Sequence, residues 1–173
     1  QAIILVPAPA VMPVLEECGH KGVKIVVVYT SGFAESENDA GRKREEEIQQ
    51  IAQKMGLHVI GPNCMGIYHP KNRMAFFPGM PREPGKVGMI SQSGSLTILL
   101  SRLAEPRGVR FSKMISSGNE CDLNTCDFLE FLGQDPDTDL PGLHAGRIRP
   151  GQGPPPGLRS GRLPEVASDG RRG

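Results

Sequence analysis

Along residues 1–138, short apolar runs alternate with longer amphipathic stretches. Residues 2–6 (AIILV) are apolar without a break, and residues 24–29 (KIVVVY) are dominated by β-branched side chains, so each predicts a strand. Residues 57–60, 87–90 and 110–115 predict three more. Residues 11–20 read as a short helix closed by Gly19 or Gly22. Over 38–55, Ile48, Ile51, Ala52 and Met55 recur at helical spacing and Gly56 supplies the stop. A further helix is predicted over 96–103. Asn124 is placed to cap another over 125–132, with Phe128, Leu129 and Leu132 on its apolar face. Residues 61–85 are turn-rich.

Strands that are apolar throughout, separated by helices, predict parallel sheets covered on both faces, hence an α/β fold. The Pro/Gly-rich stretch PGMPREPG at 78–85 reads as a linker. The expected organisation is an incomplete Rossmann-like domain over 1–78, then the start of a second α/β domain over 79–138. The chain opens directly on a strand pattern with no initiator Met, which is expected of an N-terminal truncation.

Composition changes the picture at the other end. The chain has 22 Gly and 16 Pro in 173 residues, unevenly spread. Residues 139–173 hold eight Gly, six Pro and six Arg, with no Lys, Met or aromatic residue, and read as an irregular, low-complexity tail. The tail's six Arg against three acids leave the first 138 residues slightly acidic within a net charge of +1. That division removes an electrostatic case for nucleic acid. Cys18, Cys64, Cys121 and Cys126 form no CxxC pair, so reduced thiols in a cytoplasmic protein are expected rather than a disulfide scaffold or zinc site. The four His are scattered, which argues against a metal site, and no apolar run approaches the ~20 residues of a membrane helix.

In open parallel sheets, ligands bind outside the carboxyl ends of the strands. The five predicted strands are followed by Pro7-Ala8-Pro9, Thr30-Ser31-Gly32, Gly61-Pro62-Asn63-Cys64, Ser91 to Ser95, and Ser116-Ser117-Gly118-Asn119. All are small, polar or turn-forming residues. Such residues suit a ligand edge, and they also suit plain strand-to-helix turns. Ser93 invites a nucleophile reading, but the G-x-S-x-G elbow is absent because Ser91 and Ser95 stand where it needs glycine. No His lies between His69 and His144 to serve as base. A strand–SQSGS–helix turn instead suits an anion, with Gly94 letting backbone N–H groups approach it and serine hydroxyls adding donors at a positive helix end. A plain Ser-capped helix start is the alternative. Cys64 has no neighbouring His or Lys in its motif to activate it and reads as a small buried hydrophobe. The run RKREEE at 42–47 reads as a solvated helix face.

Together these stretches resemble a known family. Val6-Pro7, YTSGF at 29–33, GPNCMGI at 61–67, GKVGMISQSGSLT at 85–97, SKMISSGNECD at 112–122 and LEFLGQDPDT at 129–138 are similar, in this order, to the ADP-forming acyl-CoA synthetases. More distantly they resemble the alpha subunit of succinyl-CoA synthetase. The resemblance runs over residues 2–138. It implies a Rossmann-like coenzyme A-binding domain followed by a flavodoxin-like, succinyl-CoA synthetase-like domain. It implies conversion of acyl-CoA, ADP and phosphate to free acid, CoA and ATP, through an acyl phosphate and a phosphohistidine. Val6, Pro7, Tyr29, Thr30, Ser31, Asn63 and Cys64 would line the CoA path. Ser91, Gln92, Ser93, Gly94 and Ser95 would open the helix that holds the phosphoryl group. ATP or ADP, with Mg, would bind only through an ATP-grasp domain or beta subunit, and no nucleic acid or membrane is expected as partner.

The departures carry expectations of their own. The family's first strand and glycine-rich turn have no counterpart here, nor does its Ser-His-Thr-Gly phosphohistidine segment; His144 sits in His-Ala-Gly. The family's next strand is not expected in 139–173, which resembles an out-of-frame translation, with a natural disordered tail as the alternative. The expected chain is thus a fragment without ligase turnover of its own. Two other classes remain open: a non-catalytic CoA-binding or sensing module, as fused to some bacterial protein acetyltransferases, and a serine hydrolase.

Overall fold

The computed structural model describes residues 1–144. They form two sheets in series, each mainly parallel. The first has the order β1 (Ala2–Ile4), β2 (Ile25–Val28), β3 (His58–Ile60), all parallel. The helices α1 (Val11–His20) and α2 (Asp39–Met55) connect its strands. The ends of α2 are written in the sequence. Asn38 accepts a hydrogen bond from the Gly41 N–H at 2.7 Å, and Gly56 ends the helix in the left-handed conformation.

The second sheet has the order β4-β6-β5-β7, built from β4 (Gly66–Tyr68), β5 (Val87–Ser91), β6 (Phe111–Ser116) and β7 (Leu140–His144). The helix α3 (Gly94–Ala104) joins β5 to β6, and α4 (Thr125–Gln134) joins β6 to β7. Alternate residues of β5 and β6 point to opposite faces. Met89 and Met114 pack with Leu100 and Ala104 of α3, whereas Ile90 and Ile115 pack with Phe128 and Leu132 of α4.

Two expectations are corrected here. The sheets do not divide at residues 78/79: β4 lies ahead of the 78–85 stretch and pairs antiparallel with β6 in the second sheet. That stretch is also laced to the body, with the Tyr68 hydroxyl donating to Pro81 O at 2.8 Å and Arg102 to Pro78 O at 3.3 Å. Secondly, the supposed irregular tail begins with a strand, since β7 pairs parallel with β5 from Val87↔Leu140 to Ser91↔His144. Its sequence, LPGLH, has the Pro and Gly of an edge position, which hid it. The out-of-frame and disordered-tail expectations for the rest of 139–173 fall outside the described residues.

The two sheets share a core. Val26 and Val28 face α1 and α2, while Val27 and Ile60 turn the other way, onto Ile90, Ile115 and α4. The loop after β6 completes the join by running along the open edge of β3. Cys121 N–H donates to Gly61 O at 3.0 Å and Leu123 N–H to Val59 O at 3.2 Å, while Asp122 accepts from Val59 N–H at 2.8 Å. Gln49 of α2 donates to Cys121 O at 2.6 Å, and the Cys121 side chain enters the first core. An edge that would otherwise present unpaired backbone groups is thereby closed by the other half of the chain.

Candidate functional site

The strand-end loops converge on one edge, held by a run of hydrogen bonds. Thr30 Oγ1 donates to Val6 O at 2.6 Å, tying the ends of β1 and β2. Asn63 N–H donates to Thr30 O at 2.9 Å, adding the turn after β3. Asn119 N–H donates to Pro62 O at 2.9 Å, adding the loop after β6, and Ser117 N–H reaches Ser91 O at 2.9 Å, adding the loop after β5. The residues picked from the sequence after β1, β2, β3, β5 and β6 thus form one connected surface.

Their side chains divide into two groups. Pro7, Ser31, Asn63, Ser93 and Ser95 are exposed, and Val6, Thr30, Gln92 and Gly94 partly so. Cys64 and Tyr29 point away from the edge into the core shared by the two sheets. Cys64 is 4% exposed, its Sγ–H directed at Val28 O, and burial pushes the thiol up to about 12. A thiol so placed is a packing group, as the sequence suggested, and its place on a CoA path would be structural. Ser91 is also buried, its hydroxyl accepting from Ser93 N–H at 3.1 Å.

The SQSGS turn is a capped helix start. Ser93 Oγ accepts from Leu96 N–H at 3.3 Å, and Thr97 Oγ1 donates back to Ser93 O at 2.8 Å. Ser93 is thus engaged as an N-cap, and none of its hydrogen-bond partners among the described residues is a base. The N–H groups of Gly94 and Ser95, in the first turn of α3, have no intrahelical acceptor and meet the positive end of the helix dipole. Gly94 also has a packing role: a Cβ there would lie 2.3 Å from Met65 Cγ, so the glycine lets α3 pack against the GPNCM turn.

Sequence reasoning missed the polar seam beside this edge. Asn119, 8% exposed, donates through one Nδ2 to Glu35 Oε2 at 2.5 Å and to Glu45 Oε2 at 2.7 Å, and its Oδ1 accepts from Asn63 Nδ2 at 3.4 Å. Glu35 also accepts from Gly32 N–H at 2.6 Å and Phe33 N–H at 3.2 Å. Burial alone would raise the Glu35 carboxyl, but the hydrogen bonds from Asn119, Gly32 and Phe33 outweigh it and hold the group below the ordinary range. The RKREEE run is therefore not all solvated: Glu45 is buried and Arg44 donates to Gly32 O at 3.1 Å. The signal lay in spacing, because Gly41, Glu45, Ile48 and Ala52 form one helical stripe, and all four are buried. The seam walls a cleft of about 680 Å³ that also takes in Arg42, Gln49 and Gln92.

Among the described residues, no group of three or more His, Cys, Asp or Glu is placed to hold a metal ion, and no helix is long and apolar enough to cross a membrane.

Two family models match the chain in succession. The family model described as a CoA binding domain matches residues 1–70, and that of the succinyl-CoA ligase like flavodoxin domain matches residues 84–153. The second match runs past residue 138, where the sequence resemblance was expected to stop. The chain is 39% identical over 140 residues to acetate–CoA ligase [ADP-forming] I of Archaeoglobus fulgidus, covering 80% of this chain and 20% of that protein. It is 41% identical over 138 residues to the alpha subunit of acetate–CoA ligase [ADP-forming] I of Pyrococcus furiosus, covering 79% of this chain and 30% of that one. Among solved structures, the dinucleotide-forming acetyl-coenzyme A synthetase 1 of Ca. Korarchaeum cryptofilum, in complex with phosphate and ADP, superposes with a TM-score of 0.78 at 35% identity, over 87% of this chain and 32% of that one. The chain thus spans a fifth to a third of the length of these relatives.

Proposed function

Since the chain belongs to the ADP-forming acyl-CoA synthetase family, we propose that it supplies the CoA-holding edge and the phosphate-holding helix start for the conversion of an acyl-CoA, ADP and phosphate to free acid, CoA and ATP. The observation that carries this reading is the hydrogen-bonded edge. Thr30, Asn63, Asn119 and Ser117 tie the loops of the CoA-binding half to Ser91, at the foot of α3. A ligand lying along the ends of β1, β2 and β3 therefore meets the positive end of α3 without any rearrangement of the chain.

Each residue has a definite part. Val6, Pro7, Ser31 and Asn63 present apolar surface and hydrogen-bonding groups to CoA, while Thr30 fixes their spacing. Tyr29 and Cys64 support the edge from beneath. The N–H groups of Gly94 and Ser95, with the hydroxyls of Ser93 and Ser95 and the Gln92 amide, hold phosphoryl oxygens where negative charge rests or develops. The acyl group goes to phosphate as CoA departs with its thiol; the phosphoryl group then passes by way of a histidine to ADP. In this proposal the nucleotide and its Mg are held by an ATP-grasp domain or by a beta subunit, in line with the alpha-subunit relatives.

Titration calorimetry of the full chain with CoA tests the reading. CoA should bind, and Ser31→Glu should weaken it at least about tenfold by setting a carboxylate against its phosphates, with the melting temperature unchanged. Absence of CoA binding at millimolar concentration would refute the proposal. Fluorophosphonate labelling of Ser93 would favour the hydrolase instead.

A further inference from the structure

The Asn119 side chain has no part in the CoA and phosphate contacts proposed above, yet it joins three partners of the seam, Glu35, Glu45 and Asn63. Its backbone N–H holds Pro62 O at 2.9 Å and its Oδ1 holds Asn63 Nδ2, so both ends of the residue grip the turn after β3. Its Nδ2 is fixed in turn by Glu35 and Glu45, which approach from two different segments of the first half. Asn63, with φ of 56°, is in the left-handed region and exposed, so its position depends on its neighbours rather than on burial. We infer that Asn119 is a positioning residue for CoA: clamped by Glu35 and Glu45, it sets the Gly61–Asn63 turn to the spacing that the ligand meets. This inference rests on the CoA-edge reading above.

An amide is suited to the task and a carboxylate is not. The two carboxylates need two N–H donors between them and Asn63 Nδ2 needs an acceptor; an amide offers all three from one side chain, and a carboxylate offers no donor. Phosphate contacts lie elsewhere, on Ser93, Gly94 and Ser95, so a lost clamp should be felt by CoA and not by phosphate.

The test measures CoA affinity by calorimetry and phosphate affinity by thermal shift, on the full chain. Asn119→Ala and Asn119→Asp should each weaken CoA about tenfold or more, with phosphate affinity within about twofold of the unaltered chain. Asp122→Asn, which loosens the same loop at Val59, should lower the melting temperature and leave CoA affinity unchanged. If Asn119→Ala melts below assay temperature, Asn119→Ser carries the same expectation. Equal CoA affinity in the Asn119 variants would overturn the inference, as would equal losses for CoA and phosphate. An unaltered chain that fails to bind CoA would overturn the CoA-edge reading itself, and the inference with it.

Discussion

Lys113 Nζ lies 2.6 Å from Asp135 Oδ2, with both side chains more than nine-tenths buried, and the contact ties β6 to the turn after α4. Thr138 Oγ1 donates to the same carboxylate at 2.5 Å and pairs with Ser112 Oγ at 2.6 Å. The DPDT segment is thereby fixed as the approach to β7. Burial by itself would raise the Asp135 carboxyl, but Lys113 and Thr138 more than offset it and the group titrates below its ordinary value. A carboxyl depressed on folding contributes stability that is in place above its unfolded value, about pH 4, and is lost as pH falls through the folded value. Lys113→Met leaves the buried carboxylate without its cation, Thr138 remaining as a donor, and should cost about 3 kcal/mol at pH 7. The cost should shrink as acid protonates Asp135 in the variant. Urea unfolding midpoints from pH 7 to pH 3 check both the size and its trend.

Ser93 can be made to separate capping from anion holding. Its hydroxyl caps α3 through Leu96 N–H. Ser93→Ala should lower stability by about 1 kcal/mol through the lost cap. Ser93→Asp keeps a capping oxygen and favours the helix dipole, so the fold should hold or gain slightly. The added charge stands where phosphate would rest, so the thermal shift given by phosphate should vanish in Ser93→Asp while surviving, reduced, in Ser93→Ala. A phosphate response retained in Ser93→Asp would place the anion elsewhere.

What the sequence made legible was local. The apolar runs of β2, β3, β5 and β6 carry their burial in their own composition, and Asn38, Gly56 and Asn124 mark helix ends because capping is a short-range contact. β4 and β7 were lost for opposite reasons. β4 is Gly-Ile-Tyr inside a turn-rich stretch and has no apolar run to mark it, and β7 contains the Pro and Gly of an edge strand. The seam was lost because its partners are distant in sequence: Asn119 meets Glu35 and Glu45 across 84 and 74 residues, a distance no motif spans. SQSGS was correctly placed after β5 as a helix start, but the packing of Gly94 on Met65 is a contact that only the fold brings about.

The four thiols should differ sharply in reactivity. Burial raises Cys64 to about 12 and drives Cys121 well above the ordinary thiol range, whereas Cys18 and Cys126 are partly exposed. Iodoacetamide at pH 8 followed by mass spectrometry should modify Cys18 and Cys126 within the time that leaves Cys64 and Cys121 intact, until denaturant is added. A thiol raised on folding favours the neutral form, so its stabilisation is complete below the unfolded value near pH 8.5 and declines as pH rises toward the folded value. Stability should therefore fall between pH 9 and 12, and Cys64→Ala should flatten that fall. Early modification of Cys64 would contradict its placement in the shared core.

Gly118 offers the cleanest measure of how much the seam is worth. It lies at φ of 61°, and a Cβ there would stand 2.2 Å from Pro62 O and 2.6 Å from Asn63 O. Gly108 has a similar conformation, φ of 76°, with nothing within 4 Å of the same position. Alanine at Gly108 should cost only the left-handed conformation, about 1–2 kcal/mol. Alanine at Gly118 adds a collision with the turn that Asn119 holds, and should cost at least about 2 kcal/mol more, because backbone rather than a flexible side chain must give way. The difference between the two variants isolates the contact between the halves. Hydrogen exchange should locate it as well: in Gly118→Ala the Cys121 and Leu123 amides, which close the β3 edge, should exchange faster, while those of β6 stay protected. Equal destabilisation by the two alanines would mean that the loop after β6 rests on the first sheet without bracing it.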